Sequence, residues 1–202
     1  MEYISGYTIL ETIEENDLWG IHRARKHRRS GPAVLLQMFS EDLFDTRVMQ
    51  EARYNLGMLQ NIDSGQLIKI YDIIDENGRL TIVCEDYQGK PLSELLKKRK
   101  IKTEETLRIT LGIVDALGIL HDSAIIHASI SPHTILVDPD TLSVKLMPFI
   151  GSRDFIWTNK LMQHPNIIER ILPYISPEQT GKTGREVDAR SDRYSLGIVL
   201  YQ

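Results

Sequence analysis

Cysteine is nearly missing: Cys84 stands alone among 202 residues. A single thiol excludes an internal disulfide and a cysteine-based zinc cluster. Long apolar runs are missing too. None reaches the roughly 18 residues a membrane-spanning helix needs, so no membrane insertion is expected. The opening stretch, MEYISGYTILETIEEN, is acidic and alternating, unlike a secretory or transit peptide. Neither sign of charge is in marked excess: 24 Lys and Arg face 28 Asp and Glu, a net charge of −4. Nothing global therefore points to nucleic acid as a partner. Internal repeats and low-complexity segments are also lacking. These absences lead to the expectation of a cytoplasmic protein or domain with no nucleic-acid partner.

What is present is ordinary globular material, 42% hydrophobic and 26% charged. Two basic runs, HRARKHRR (22–29) and KKRKIK (97–102), read as a solvated hairpin tip and an exposed helix end, since neither is interleaved with aromatics. Along the chain, residues 6–13, 20–26 and 32–39 are short apolar or alternating runs separated by turn chemistry, the pattern of strands. The period then changes. Ser40 is a candidate N-cap, and Val48, Ala52, Leu56 and Leu59 fall at helical spacing, which predicts a helix over 46–60. LIKIYDII and RLTIVCED follow as strands joined by DENG, a hairpin turn. The order is βββαββ.

After Gly89-Lys90-Pro91, the expected boundary between residues 1–88 and 89–202, the chain becomes mainly helical. PLSELLKKRK is a short helix. Thr103 is expected to cap a long one, with Leu107, Leu111, Val114, Leu117 and His121 on one face. Two short strands flank Asp138-Pro139-Asp140-Thr141, and SDRYSLGIVLYQ opens an apolar helix. The fold class is α+β. The helix that begins at Ser191 is read as cut short at Gln202, with further helices beyond it.

Five strands and one helix, a linker, then a helical lobe with a loop-and-hairpin site: this arrangement resembles the two-lobe protein kinase fold. The landmarks that carry the resemblance stand in order. They are CEDYQG (84–89) at the hinge, IIHAS (125–129) at the catalytic loop, VKLMPF (144–149), YISPEQTG (174–181) and SDRYSLGIVLY (191–201). The last two look most like the kinase-like modules at the N-terminus of large bacterial hybrid sensor histidine kinases. A fold does not establish a function, so each working part is weighed separately.

A working kinase positions ATP, neutralises the moving phosphoryl group with Mg²⁺ and a lysine, and orients the hydroxyl with an aspartate. The resemblance maps its phosphate-loop glycines to Glu14, Asn16 and Trp19, with Gly20 one place late; an ordinary β-hairpin fits better. The lysine maps to Gln37 and its glutamate partner to Asn55, with Glu51 one turn earlier as a stand-in. A neutral Gln–Asn pair can hydrogen-bond but cannot neutralise a polyphosphate. The catalytic aspartate maps to Ser129, the following lysine to Ser131 and the metal-binding asparagine to Thr134. The metal-binding aspartate maps to Pro148, followed by Phe149 and Ile150. Mg²⁺ usually takes one or two carboxylates besides phosphates, and a proline offers neither carboxylate nor N–H. His127 reads as a core brace. Asp192 is expected to accept backbone N–H groups of the catalytic loop, and Pro177-Glu178 to anchor the activation segment, the arginine that usually pairs with that glutamate lying further along the family's chain. Cys84 takes the gatekeeper position, and the backbones of Glu85 and Tyr87 are the candidate adenine contacts if nucleotide binds.

Two decoys are set aside. Gly181-Lys182-Thr183-Gly184 echoes a phosphate-binding loop, but Ser176 stands where the first glycine belongs. The histidines 22, 27, 121, 127, 133 and 164 show no metal-ligand spacing with a carboxylate on one helix face. The resemblance therefore implies a pseudokinase acting in signalling through a protein partner or downstream domains of its own polypeptide. No cofactor or metal is expected, and ATP without Mg²⁺ is an option. The alternative is a weak, atypical ATP-dependent Ser/Thr kinase using substitute carboxylates such as Asp140 or Asp154.

Overall fold

The structure is a computed structural model, and it describes residues 3–4, 6–15, 19–27, 31–40, 46–76, 78–148 and 170–202. These form two compact units. One comprises residues 1–63 and 68–87, the other 64–67 and 88–202.

The first unit is an antiparallel sheet with one helix. Its strands are β1 (Tyr3–Ile4), β2 (Tyr7–Glu15), β3 (Trp19–Lys26), β4 (Val34–Phe39), β5 (Ile70–Glu76) and β6 (Arg79–Glu85), in the order β1-β2-β3-β4-β6-β5. All five expected strands are there. The two-residue β1 adds an edge that is too short to leave a period-two signal. Alternation along β4 splits its side chains between two faces. Val34, Leu36 and Met38 join Tyr7, Ala24 and Val83 in one buried cluster, while Leu35 and Gln37 point the other way. Helix α1 (Thr46–Gln60) matches its predicted span and buries Ala52 and Leu56 completely.

The second unit holds β7 (Lys90–Pro91), α2 (Leu92–Lys98), α3 (Thr103–Asp122), β8 (Ile135–Val137), β9 (Val144–Leu146) and α4 (Ala189–Tyr201), with 3₁₀ turns at Leu172–Tyr174 and Pro177–Thr180. Strands β7, β8 and β9 form a small sheet. The segment 64–67 belongs here because the Leu146 N–H donates to the Gln66 carbonyl at 2.9 Å. Helix α3 lies close against β9: a Cβ at Gly112 would come within 3.0 Å of Val144 Cβ.

Two sequence expectations about α3 are corrected. Its cap is Lys102, whose N–H donates to the Glu105 carboxylate at 2.9 Å; Thr103 is the first helical residue. The buried face is Ile109, Ile113, Ala116, Leu117 and Leu120. Of the expected face Leu117 is buried, but Leu107, Leu111 and Val114 are 60%, 64% and 48% exposed. Helix α2 is shorter than PLSELLKKRK, because Pro91 pairs in the small sheet and Arg99 turns extended. No helix of the described residues is long and apolar enough to cross a membrane.

Candidate functional site

In the first unit, where the resemblance places a phosphate loop, β2 and β3 pair antiparallel, Glu14 with Ile21 and Glu15 with Gly20, with register shifts between Ile9 and Glu11 and between Thr12 and Glu14. Asn16 lies outside the described residues. Trp19 pairs with Phe39 as an ordinary strand residue.

Gln37 sits on β4 between Ile21 and Ile82, and is 7% exposed. Among the described residues its Oε1 has no hydrogen-bond partner. A Gln37–Asn55 bond, which the two side chains could make, is not made through that oxygen; Asn55 is half-buried on α1 with Glu51 one turn before it. A buried acceptor without a donor destabilises. Gln37→Met keeps the shape and removes that oxygen, so it should raise the unfolding free energy by about 1 kcal/mol, read by urea denaturation.

Cys84 is fully buried, and burial raises its thiol pKa far above the ordinary value. The hinge after it is tied down from several sides. Glu85 N–H donates to Lys69 O at 3.0 Å, and Lys69 N–H returns to the Glu85 carboxylate at 2.9 Å. Tyr87 N–H donates to Glu85 O at 3.0 Å. The Asp86 carboxylate takes two bonds from Arg23 Nε, at 2.9 and 3.1 Å. Arg23 also pairs with Glu11. None of this was read from the sequence. Arg23 was counted into a basic surface run, and its partner Asp86 is 63 residues away.

In the second unit the catalytic-loop positions are held by one carboxylate. Asp192 is fully buried and accepts from Ala128 N–H at 2.7 Å, His127 N–H at 3.0 Å and His121 Nε2 at 2.8 Å. Ala128 has φ +58°, a left-handed conformation that costs a non-glycine residue about 1 kcal/mol or more. Its N–H is fixed by Asp192 and its carbonyl by Gln179 Nε2 at 2.8 Å. Sequence reasoning missed Gln179, which stands in YISPEQTG directly after the residues singled out there.

His127 is a core brace, as expected. It is buried, and its Nε2–H donates to Met147 O at 3.1 Å, which leaves Nδ1 as an acceptor without a donor among the described residues. Burial holds its pKa below the ordinary 6.5. Because the folded pKa is the lower one, the unfolded chain takes up the proton first as pH falls below 6.5. Stability should therefore drop on going from pH 7 towards 5, by at most about 1.4 kcal/mol per pH unit from this group. Urea midpoints across that range measure the slope, and His127→Gln should reduce it.

Ser129, in the place of the base, is 6% exposed, and its Oγ has no partner among the described residues. Thr134, in the place of the metal-binding asparagine, has its hydroxyl taken up by its own loop. It reaches Ser129 O at 2.8 Å and Ser131 O at 3.1 Å, and accepts from Ser131 N–H at 3.1 Å. Pro148 is buried beside Met147. Phe149, Ile150 and Asp154 lie outside the described residues. Asp140 is exposed in the turn after β8, with its N–H on the Asp138 carboxylate. Among the described residues no cluster of three or more His, Cys, Asp or Glu is placed to hold a metal ion.

Glu178 accepts from Ser191 Oγ at 2.6 Å, which lowers its pKa, so it has a partner nearer than the expected arginine. Gly181, in the rejected GKTG decoy, caps the 3₁₀ turn in the left-handed conformation at φ +69°.

The protein kinase domain model matches residues 21–202. The chain belongs to the protein kinase domain family. A probable serine/threonine-protein kinase of Streptomyces coelicolor, SCO3848, is 32% identical over 184 residues, covering 86% of this chain and 26% of its own length. The serine/threonine-protein kinase PrkC of Bacillus subtilis is 30% identical over 159 residues, covering 78% and 24%. This kinase domain thus spans about a quarter of each of these two relatives. The crystal structure of the Mycobacterium tuberculosis PknI kinase domain superposes with a TM-score of 0.77 at 17% identity, over 98% of this chain and 74% of that one. At that identity the likeness concerns the fold.

Proposed function

We propose that this kinase domain is a pseudokinase: it does not transfer phosphate, and it serves signalling through contacts with a protein partner or with other domains of its own polypeptide. The observation that carries the reading is the state of the three positions that would handle base and metal. Ser129 is a buried hydroxyl, Thr134 is consumed by hydrogen bonds within its own loop, and Pro148 has neither carboxylate nor N–H. A positioned base alone is worth about 10²–10⁴ in rate. At residues 129, 134 and 148 Mg²⁺ finds none of the one or two carboxylates it usually takes from a protein beside phosphates. What the fold keeps is scaffolding, since Asp192 and Gln179 hold Ala128 by its N–H and its carbonyl and Glu178 is bonded to Ser191. A loop ordered beforehand suits recognition, where little ordering entropy is then lost on binding.

The test is transfer of labelled γ-phosphate to a generic Ser/Thr-containing protein, with Mg²⁺ or Mn²⁺ present. Incorporation should stay at the level of the no-protein control. Incorporation that scales with the protein and disappears in Asp140→Ala or Asp154→Ala would instead establish a weak phosphotransferase.

A further inference from the structure

We infer that this chain's own residues close the edge of the first unit that would read a purine, and that the domain works without nucleotide. The inference rests on the pseudokinase reading and adds the ligand state of that same site.

A purine edge needs a backbone acceptor and a donor side by side. At this hinge those groups are Glu85 C=O and Tyr87 N–H, and they are bonded to each other at 3.0 Å in a three-residue turn. Presenting them outward means breaking that bond. The residue between them is not free to swing, because Asp86 is held by both of its bonds from Arg23 Nε. The flanking residue is also fixed, through the exchange between Glu85 and Lys69.

The floor is filled as well. Cross-strand pairs share a face of a sheet. Arg23 pairs with Leu35, and Leu35 pairs with Cys84, so the three lie in one row across β3, β4 and β6. The next row on that face is Ile21, Gln37 and Ile82. A flat ring placed between the hinge and Gln37 has to lie on Leu35, a branched side chain already 5% exposed. Arg23 stands beside Leu35 with its guanidinium turned to Asp86 rather than away from the row. Clasp and plug thus act on the same space.

Calorimetric titration with adenosine, and separately with metal-free ATP, tests this on the wild-type protein, Arg23→Gln, Leu35→Ala and the double variant. The wild type should show no saturable binding below millimolar concentrations. The double variant should bind adenosine at least tenfold more tightly than the wild type. Cooperative melting identifies the folded variants; if Leu35→Ala fails that check, Arg23→Gln carries the comparison. Submillimolar adenosine binding by the wild type overturns the inference, and so do folded, opened variants that bind no better than the wild type. Metal-free ATP binding by the wild type without phosphate transfer overturns this inference and leaves the pseudokinase reading standing. Transfer by the wild type overturns both.

Discussion

Asp192→Ala is expected to lower the unfolding free energy by about 3–5 kcal/mol, the range for removing one partner from a buried charged network. The carboxylate is fully buried and holds three donors from two other parts of the chain: Ala128 N–H, His127 N–H and His121 Nε2. Alanine leaves those donors without an acceptor and releases a left-handed Ala128 that nothing else holds at its N–H. Domains of this size are stable by only about 5–15 kcal/mol, so the variant should sit near the edge of folding. In urea the midpoint should fall with little change of slope, and amide exchange at residues 127–129 should quicken. Asp192→Asn, which keeps one acceptor oxygen, should fall in between. A loss below about 1 kcal/mol would show that the loop is held by something other than this carboxylate.

Thr134→Val is the second large effect, expected at about 2–3 kcal/mol. The two side chains have nearly the same volume, and the change puts a methyl, which can neither donate nor accept a hydrogen bond, in the place of the hydroxyl. That hydroxyl donates to Ser129 O at 2.8 Å and accepts from Ser131 N–H at 3.1 Å. A catalytic loop in use would keep the residue here free to hold metal. This loop uses it to hold itself, so the cost of Thr134→Val should appear in stability and not in any nucleotide-dependent property. A neutral Thr134→Val would mean the hydroxyl is not spent on the loop and remains available to a ligand.

Much of the fold was legible because periodicity reports it. Helix α1 came out at its predicted span, and the alternating runs fell where β2 to β6 lie. Helix α3 shows where periodicity stops. It carries two apolar stripes at helical spacing, Leu107-Leu111-Val114 and Ile109-Ile113-Ala116-Leu120, and spacing alone cannot say which one faces β9. The close approach at Gly112 decides it. The proposal of a silent site was legible as a set of substitutions, because each one replaces a residue of named chemical capacity. How the space is filled instead was not legible. The Arg23–Asp86 clasp spans 63 positions, the bond from Gln179 to Ala128 spans 51, and nothing local marks either pair. The role of Asp192 was foreseen only through the resemblance; its immediate neighbours make it look like an acidic residue in the first turn of a helix.

Titration of the protein with ATP in the presence and absence of Mg²⁺, followed by the melting temperature, tests the central claim most directly. A ligand that binds only the folded state at 100 times its Kd stabilises by about 2.7 kcal/mol, well within detection. Without a carboxylate at residues 129, 134 and 148, magnesium should add nothing to whatever ATP does alone. A melting temperature that rises only when both ATP and Mg²⁺ are present would contradict the account.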